Sequence, residues 1–412
     1  MKICMLLESN FPPDIRVEKE IKALKKAGHQ IYVISLNENG SKLIEDWNGV
    51  TIIRISLPRN ILSRISRFAR FNLFHENSFW GKEVEKIVNK YSIEVLHVHD
   101  LPLVKTALSI SKRNHIPLIA DLHENYPEAL RVWRHTDMEL TEKFLSTFSP
   151  IFLWKRTEKS VLKEVDEIIA VVEEGKDHYI NECDISPNKI TVVMNTEDID
   201  VFNNIPIDSS IIAEYNDEFV ISYIGGFGPH RGIDTAMKSI SKVLNEIPNA
   251  KLLLVGGKGS KKHEKELNQI YKELNIRNHV EFTGWVDFSL VPSYIAISDI
   301  CLVPHNASGH TNTTIPHKIF QYMAKGKPVI VTDCKPLKRI VEECNCGIVV
   351  PSGDYNKLAE AIIKLYKDKE YAKKLGDNGK KAVEEKYNWK NEAMKLCALY
   401  GDLEDERHRT VN

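Results

Sequence analysis

Short apolar runs alternate with longer amphipathic segments along the whole chain, which is the pattern of a parallel α/β protein. Runs such as KICMLLE and QIYVISL in the first half, and KLLLVGG and PVIVTD in the second, are largely apolar. Strands of a parallel sheet that are covered on both faces have this composition. Between such runs, residues 17–26, 233–245 and 358–367 carry apolar side chains at helical spacing. The pattern therefore predicts an α/β fold of doubly wound, Rossmann-like sheets.

The predicted elements divide into two domains. The chain has 412 residues, more than one hydrophobic core usually holds. A polar stretch between Asn195 and Phe219 predicts the boundary, so we expect domains over 1–200 and 201–385. The tail, 386–412, is predicted to form a last helix that crosses back to the first domain. Doubly wound domains bind ligands outside the carboxyl ends of their strands, so we expect the two domains to face each other across a cleft.

The balance of charges and the cysteines exclude several classes of protein. With 56 basic and 57 acidic residues, the formal net charge is −1. Bulk electrostatics therefore provides no attraction to nucleic acid, and we predict no nucleic-acid partner. Seven cysteines in this length do not make a disulfide framework, and the apolar N-terminal run is too short for a signal peptide. We predict a reduced, cytoplasmic protein.

One basic stretch raises the question of membrane contact. No apolar run approaches the roughly 18 residues that cross a bilayer. Residues 58–80, however, interleave arginines with isoleucine and phenylalanine side chains. Such a stretch is typical of a core helix with a solvated arginine face, or of a segment that lies on an anionic membrane. The second interpretation predicts peripheral contact with the inner face of the membrane, or with a lipid-linked ligand.

Two motifs in the second half are suited to phosphate. A strand runs directly into GGFGPHRG, where the glycines allow the backbone to approach a ligand closely and Arg231 offers a planar fork for phosphate oxygens. Further on, a polar loop leads to Thr314, a predicted N-cap, and to Pro316 in the predicted first helical turn. Lys318 in that turn opposes the helix dipole, which a bound phosphate would explain. The alternative is a helix start with a solvated lysine.

These motifs resemble those of glycosyltransferase family 4, whose enzymes have the GT-B fold. YIGGFGPHRGIDTAMKSI and FQYMAKGKPVIVTD match the family's glycine-rich turn and its last donor-site motif. Arg231-Gly232 stands in the place of the family's Lys-Gly, and Gly226 where an arginine is usual. The family's two glutamates, eight positions apart, are replaced by Thr313 and Gln321. The donor-binding residues predicted in this way are Gly225, Gly226, Arg231, Gly232, His310, Thr311, Asn312, Thr313, Thr314, Lys318 and Gln321.

The resemblance continues through the first domain, the link between the domains and the last helix. FPPDIRVEKEIKALKKAGHQIYVIS resembles the opening loop and helix of one branch of the family, and ADLHENYPE the end of a later strand. His123 falls where the family places a histidine near the donor sugar. The resemblance implies an acceptor site at Asp14, Arg16, Asp100 and Glu124.

The histidines also allow a metal interpretation. His97 and His99 lie on one side of a predicted strand, and with Asp100 and His123 they offer zinc ligands. Because no further spaced set of histidines or cysteines completes a site, we predict no metal and no cofactor.

Together these observations predict a glycosyltransferase in polysaccharide or glycoconjugate biosynthesis. It would move a hexosyl group from a UDP- or GDP-sugar to a saccharide or lipid-linked acceptor, with retention of configuration as the resemblance implies. The predicted catalytic residues are His123, Arg231 and Lys318, of which the last two would neutralise the diphosphate without a metal ion. Two alternatives are a sugar-nucleotide epimerase or hydrolase of the same fold, and a non-catalytic sugar-nucleotide binding protein.

Overall fold

The computed structural model describes residues 1–37, 40–56, 75–133, 150–257 and 259–411. The basic stretch predicted at 58–80 lies outside these ranges up to residue 74. The chain divides into two compact units. The first unit contains Met1–Arg131, the described residues of Glu139–Met194, and the chain from Glu392 onward, whereas the second contains Asn195–Asn391 with residues 132 and 133. The division falls slightly before the boundary predicted after residue 200.

An eight-stranded sheet forms the centre of the first unit, with strand order β3-β4-β2-β1-β5-β6-β7-β8. All its strands are parallel except β3, which pairs with β4 in an antiparallel hairpin. The strands are β1 (Lys2–Asn10), β2 (Gln30–Leu36), β3 (Ile44–Trp47), β4 (Val50–Ile55), β5 (Val95–His99), β6 (Leu118–Leu122), β7 (Glu167–Ala170) and β8 (Ile190–Val192).

Helices cover this sheet and close its core. Trp80 and Trp154 lie in the core, each 1% exposed. The last helix belongs to the first unit from Glu392 onward, in agreement with the prediction that the tail returns there. The helices before the second unit are α1 (Ile15–Lys26), α2 (Ser78–Tyr91), α3 (Leu101–Asn114), α4 (Tyr126–Trp133), α5 (Ile151–Leu162) and α6 (Glu173–Cys183).

The second unit contains a six-stranded parallel sheet in the order β11-β10-β9-β12-β13-β14. Its strands are β9 (Phe219–Ile224), β10 (Ala250–Val255), β11 (Val280–Gly284), β12 (Ile300–Val303), β13 (Val329–Thr332) and β14 (Gly347–Val350). The strand order reverses direction along the sheet at β9 and β12, and the open crevice of a doubly wound sheet lies at such a point. The glycine-rich turn follows β9, and the polar loop follows β12.

Apolar helix faces pack on this sheet, which is why its strands read as continuous apolar runs. The helices are α7 (Ile199–Asn203), α8 (Ser209–Glu214), α9 (Ile233–Val243), α10 (Lys261–Glu273), α11 (Val291–Ile297), α12 (Lys318–Ala324), α13 (Lys335–Cys344), α14 (Tyr355–Lys367), α15 (Lys369–Glu385) and α16 (Trp389–Val411), the last of which continues into the first unit.

One helix boundary differs from the prediction. Helix α12 begins at Lys318 with His317 as its N-cap, and Pro316 precedes it. The Thr314 hydroxyl donates to the carbonyl of His310, so this side chain closes the preceding turn and does not cap the helix. The prediction that Thr314 is the N-cap and Pro316 lies in the first turn is therefore wrong.

Candidate functional site

The turn after β9 requires glycine at two positions. Gly225 has φ +133° and Gly232 has φ +67°, conformations that side chains with a Cβ rarely adopt. A Cβ on Gly232 would also lie 1.8 Å from the carbonyl oxygen of Pro304. Between them, a short 3₁₀ turn, Pro229–Arg231, presents Arg231 immediately before helix α9. Close backbone approach therefore fixes where this arginine lies.

The ammonium of Lys318 lies against the same turn. Its Nζ is 3.5 Å from the centroid of the Tyr223 ring. A Cβ on Gly225 would lie only 2.6 Å from that nitrogen, so the absence of a side chain at 225 makes room for the lysine. Burial lowers the pKa of Lys318 well below its usual value, and the nearby positive charge of Arg231 lowers it further.

Three histidines share this region with the two cations. The Nη1 of Arg231 lies 3.3 Å from Nε2 of His305, and the ring of His230 lies 6.3 Å from that of His305 and 5.5 Å from that of His310. Burial lowers the pKa of His230 to about 3, and Arg231 contributes to that shift. The pKa of His305 is lowered well below its usual value by burial first and then by Arg231 and Lys318. The imidazoles of His230 and His305 are therefore neutral at pH 7.

These cations have no acidic partner in the described part of the chain. Neither Arg231 nor Lys318 forms an ion pair with a described carboxylate. Neither buried ring nitrogen of His230 has a hydrogen-bond partner among the described residues. A group of donors without a matching acid is the composition of an anion site.

Two hydrogen bonds from one asparagine join the glycine-rich turn to the polar loop after β12. The backbone N–H of Asn306 donates to the carbonyl of His230 at 2.9 Å, and its side-chain amide donates to the carbonyl of Pro229 at 3.0 Å. The two predicted phosphate motifs are thus one structural unit.

The loop residues predicted to bind the donor hold the loop together. The Thr311 hydroxyl donates to the Asn306 carbonyl, and Oδ1 of Asn312 accepts from the backbone of Lys335. The hydroxyls of Thr313 and Thr314 donate to the carbonyls of Gly309 and His310, respectively. Gly226 is exposed at the turn. The roles of these residues toward a donor stay predictions.

Gln321 has a partner that the sequence analysis missed. Its Nε2 donates to Oε2 of Glu197 at 2.8 Å, and the Nε2 of His317 lies 3.3 Å from the same carboxylate oxygen. Glu197 is 4% exposed. Between β8 and α7 the sequence reads VMNTED, where Glu197 stands among other polar residues, so no sequence signal distinguishes it.

In the first unit, the predicted acceptor residues gather at the carboxyl ends of β1, β5 and β6. Asp14 caps helix α1, and its Oδ2 forms a 3.0 Å ion pair with Nη2 of Arg16. Burial acts to raise the pKa of Asp14, but Arg16 outweighs it and the pKa is lowered. Burial acts to lower the pKa of the Arg16 guanidinium, but Asp14, with Asp100 and Glu124, outweighs it and raises the pKa. Oδ1 of Asp100 also accepts the backbone N–H of His123 at 3.1 Å.

His123 belongs to a larger buried cluster. Its Nε2 lies 2.7 Å from Oδ2 of Asp121 and 3.1 Å from Nδ1 of His99. Burial acts to lower the pKa of His123, but Asp121 outweighs it and raises the pKa to about 9. Glu20 on α1 joins the same cluster, 4.0 Å from His123 Nε2. The sequence analysis identified neither Asp121 nor Glu20 because nothing in their spacing connects them with the histidines.

Comparison with known protein families gives a match in each of the two units. Residues 204–382, which contain the cationic site, match the family described as glycosyl transferases group 1. Residues 15–201 match glycosyltransferase family 4. The chain belongs to the family 4 glycosyltransferases. The prediction of this family from the sequence is confirmed.

Curated relatives of this glycosyltransferase include proteins of archaea and bacteria. An uncharacterised glycosyltransferase of Methanocaldococcus jannaschii is 23% identical over 97% of this chain and 98% of its own length. The capsular polysaccharide biosynthesis glycosyltransferase CapM of Staphylococcus aureus is 26% identical over 56% of this chain and 60% of its own length.

Solved structures show the same GT-B fold. HepE of Anabaena, solved in complex with UDP-glucose, has a TM-score of 0.75 to this glycosyltransferase at 16% identity, covering 98% of this chain and all of HepE. The prediction of a GT-B fold with two parallel α/β domains is confirmed. Within the described ranges, no helix has both the length and the apolar character needed to cross a bilayer.

Proposed function

We propose that this glycosyltransferase moves a hexosyl group from a UDP- or GDP-sugar to a saccharide or lipid-linked saccharide, with retention of configuration. The donor's diphosphate would occupy the cationic site of the second unit, and the acceptor would contact the first unit. The name of CapM supports a place in polysaccharide biosynthesis, and the UDP-glucose complex of HepE supports a nucleotide-sugar donor.

The observation that carries this proposal is the convergence of Arg231 and Lys318 without an acidic partner among the described residues. Cleavage of the bond between sugar and phosphate leaves negative charge on the β-phosphate. Fixed positive groups in a partly buried site stabilise that charge and lower the barrier. Lys318 supports this proposal more strongly than Arg231 does, because burial lowers its pKa. A buried ammonium group destabilises the folded protein unless a bound anion compensates its charge.

The neighbouring polar groups would orient the rest of the donor. The neutral imidazole of His230, whose pKa is lowered, can donate a hydrogen bond to a phosphate or sugar oxygen without adding charge. Gln321, held by Glu197, keeps its Oε1 as an acceptor for a ribose hydroxyl. Arg231 and Lys318 would neutralise the diphosphate, so donor binding would need no divalent ion.

The proposed acceptor site in the first unit carries charges of both signs, from Asp14, Arg16, Asp100 and Glu124. Carboxylates accept hydrogen bonds from sugar hydroxyls, and the Arg16 fork binds an anionic group of a saccharide or lipid phosphate. His123 would orient the donor sugar through its Nδ1 or its backbone carbonyl, since its Nε2 faces Asp121.

A donor and acceptor panel tests this function. Thermal stabilisation by UDP- and GDP-sugars would identify the donor, because a ligand at 100 times its dissociation constant adds about 2.7 kcal/mol. Transfer to saccharide or lipid-linked acceptors, with the product's anomeric configuration assigned by NMR, would support the proposal. Epimer or free sugar formed without an acceptor would favour the epimerase or hydrolase, and binding without turnover would favour the non-catalytic protein. Donor binding that requires Mg²⁺ after treatment with EDTA would contradict the metal-free diphosphate site.

Peripheral membrane contact from the cytoplasmic side is a separate proposal, based on the basic residues of 58–80. Sedimentation with liposomes of anionic lipid tests it. No binding at low salt would remove it, since an electrostatic attraction is strongest there.

A further inference from the structure

A compact cluster of imidazoles and carboxylates lies inside the first unit. Its members are Glu20 on α1, His99 at the end of β5, Asp121 on β6, and His123 just after β6. Their exposed fractions are 5%, 6%, 0% and 8%. One possible ligand atom from each lies within 4.8 Å of those of the other three. Three separate segments of the chain thus bring metal-binding atoms to one point.

The distances suit a tetrahedral metal ion. His99 Nδ1 lies 3.1 Å from His123 Nε2, and Asp121 Oδ2 lies 2.9 Å and 2.7 Å from these two nitrogens. Glu20 Oε1 lies 4.0 Å from His123 Nε2. Four ligands at zinc bond lengths stand about 3.3 Å apart in a tetrahedron. The observed separations lie on both sides of that value, so small side-chain rotations would complete the geometry.

Hydrogen bonds alone leave part of this cluster unexplained. Two imidazole nitrogens that face each other at 3.1 Å can share only one proton. Oε2 of Glu20 and Oδ1 of Asp121 are buried and have no hydrogen-bond partner among the described residues. Oε2 of Glu20 lies 3.6 Å from His97 Nε2, beyond hydrogen-bonding distance. A protonated His123 compensates the charge of one of these two buried carboxylates, whereas a divalent cation compensates both.

A second layer of hydrogen bonds supports the proposed ligands. His97 Nε2 lies 3.3 Å from Oδ2 of Asp121, and its Nδ1 lies 2.7 Å from the hydroxyl of Tyr400 on α16. Partners of this kind orient ligating groups in metal sites. Asp100, considered as a ligand from the sequence, instead accepts the backbone N–H of His123.

We propose that the first unit binds one divalent cation of the zinc class through His99, His123, Asp121 and Glu20. Two imidazoles and two carboxylates suit Zn²⁺ or Co²⁺, whereas Mg²⁺ and Ca²⁺ prefer sites made wholly of oxygen. Four protein ligands make a closed site of the structural type. The ion joins α1 to β5 and β6 and fixes the ring of His123 with Nδ1 directed away from the cluster. All four ligands belong to the first unit, whereas Arg231 and Lys318 belong to the second.

Cobalt binding to the full chain tests this site. The affinity tag is removed, because its histidines bind the same ions, and the protein is dialysed against a chelator. Titration with Co²⁺ should then give one ion per chain with the intense visible bands of tetrahedral Co²⁺. Zn²⁺ should abolish these bands by displacing Co²⁺, and it should raise the Tm of the chelator-treated protein. A wild-type chain that takes up no stoichiometric Co²⁺, or that shows only octahedral bands, would overturn the proposal.

Three variants and a control locate the site. Glu20→Gln, His99→Asn and Asp121→Asn should each weaken Co²⁺ binding by about 10-fold or more. His115→Asn is the control, because His115 is exposed, has φ +52° and lies outside the cluster, and asparagine tolerates that backbone. Circular dichroism shows which variants are folded. Unchanged binding in folded Glu20→Gln and His99→Asn proteins would place the ion elsewhere and overturn the assignment.

Discussion

The side-chain amide of Gln321 donates a 2.8 Å hydrogen bond to the carboxylate of Glu197, and both side chains are buried. The same carboxylate accepts the backbone N–H of Asp198 and faces Nε2 of His317. The family resemblance leads one to expect a glutamate at 321. In this chain a second carboxylate there would lie within hydrogen-bonding distance of Glu197. The protein therefore accommodates the buried carboxylate of Glu197 because the side chain at 321 is neutral and donates a hydrogen bond to it.

Exchanging the two residues tests this dependence. Gln321→Glu places two buried carboxylates together and should lower the free energy of unfolding by about 3 kcal/mol, the size seen for an uncompensated buried charge. Adding Glu197→Gln should restore most of this loss, measured by chemical denaturation as a double-mutant cycle. The loss should grow as pH rises, because the folded variant retains a proton that the unfolded chain releases. Additive effects of the two changes would contradict the coupling.

The sheets and the family could be predicted from the sequence because they depend on local patterns. Apolar runs identify strands such as β9 and β10, and the residues after them form continuous motifs. The convergence of Arg231 and Lys318 followed from the rule that ligands bind at the carboxyl ends of parallel strands. The start of α12 could not be predicted, since it depends on whether Thr314 bonds forward or backward along the chain.

Contacts between distant segments account for the rest. Glu197 approaches Gln321 only because the link after β8 packs against α12. Glu20 lies on an amphipathic helix, where its spacing resembles that of any polar residue, and Asp121 lies within a buried strand. Neither position carries a local signal of its partner, so sequence spacing alone could not complete the histidine cluster.

Replacement of Lys318 should separate stability from function. Lys318→Met removes a buried charge while keeping an unbranched side chain, so we expect the ligand-free protein to become more stable by about 1 kcal/mol or more. Stabilisation by the donor should be lost, because the diphosphate loses a cation. Thermal unfolding with and without the sugar nucleotide measures both effects. Lys364→Met is the matched control, since Lys364 pairs with the Tyr371 ring at an exposed site. Reduced stability without ligand would contradict the cost assigned to Lys318.

Donor binding should be linked to proton uptake. Burial and Arg231 lower the pKa of Lys318 in the free protein, and a bound diphosphate would raise it again. In the pH range between these two pKa values, binding takes up about one proton or less. Calorimetry at a series of pH values from 7 upward, in buffers of different ionisation enthalpy, measures this uptake, and His230 and His305 are neutral throughout the series. Lys318→Arg should remove it, because arginine stays charged. Equal heats in all buffers at every pH of the series for the wild type would contradict the prediction.

Loss of the Arg231 guanidinium should lower the rate of sugar transfer. Arg231→Ala should reduce transfer by about 10²-fold or more, the size seen when one group that stabilises developing charge is removed. Arg231→Lys should recover part of the rate, since the charge returns without the planar fork. Arg277→Ala, at an exposed position of the same unit, should change neither kcat nor KM. A nearly normal rate in Arg231→Ala would exclude this residue from the mechanism.

Alanine substitutions at Gly232 and Gly353 separate the cost of backbone strain from the cost of a steric clash with a neighbouring segment. Gly232 and Gly353 both have positive φ, +67° and +77°, so alanine at either should cost about 1–2 kcal/mol through backbone strain alone. At Gly353 nothing lies within 4 Å of the added Cβ, whereas at Gly232 the carbonyl of Pro304 would be 1.8 Å away. Gly232→Ala should therefore destabilise the protein by clearly more than Gly353→Ala in urea denaturation. It should also weaken donor binding, because the turn that carries Arg231 must move away from the strand end at Pro304, while Gly353→Ala keeps wild-type affinity. Equal losses of stability and equal donor affinity in the two variants would show that the turn tolerates displacement from Pro304 and does not fix the position of Arg231.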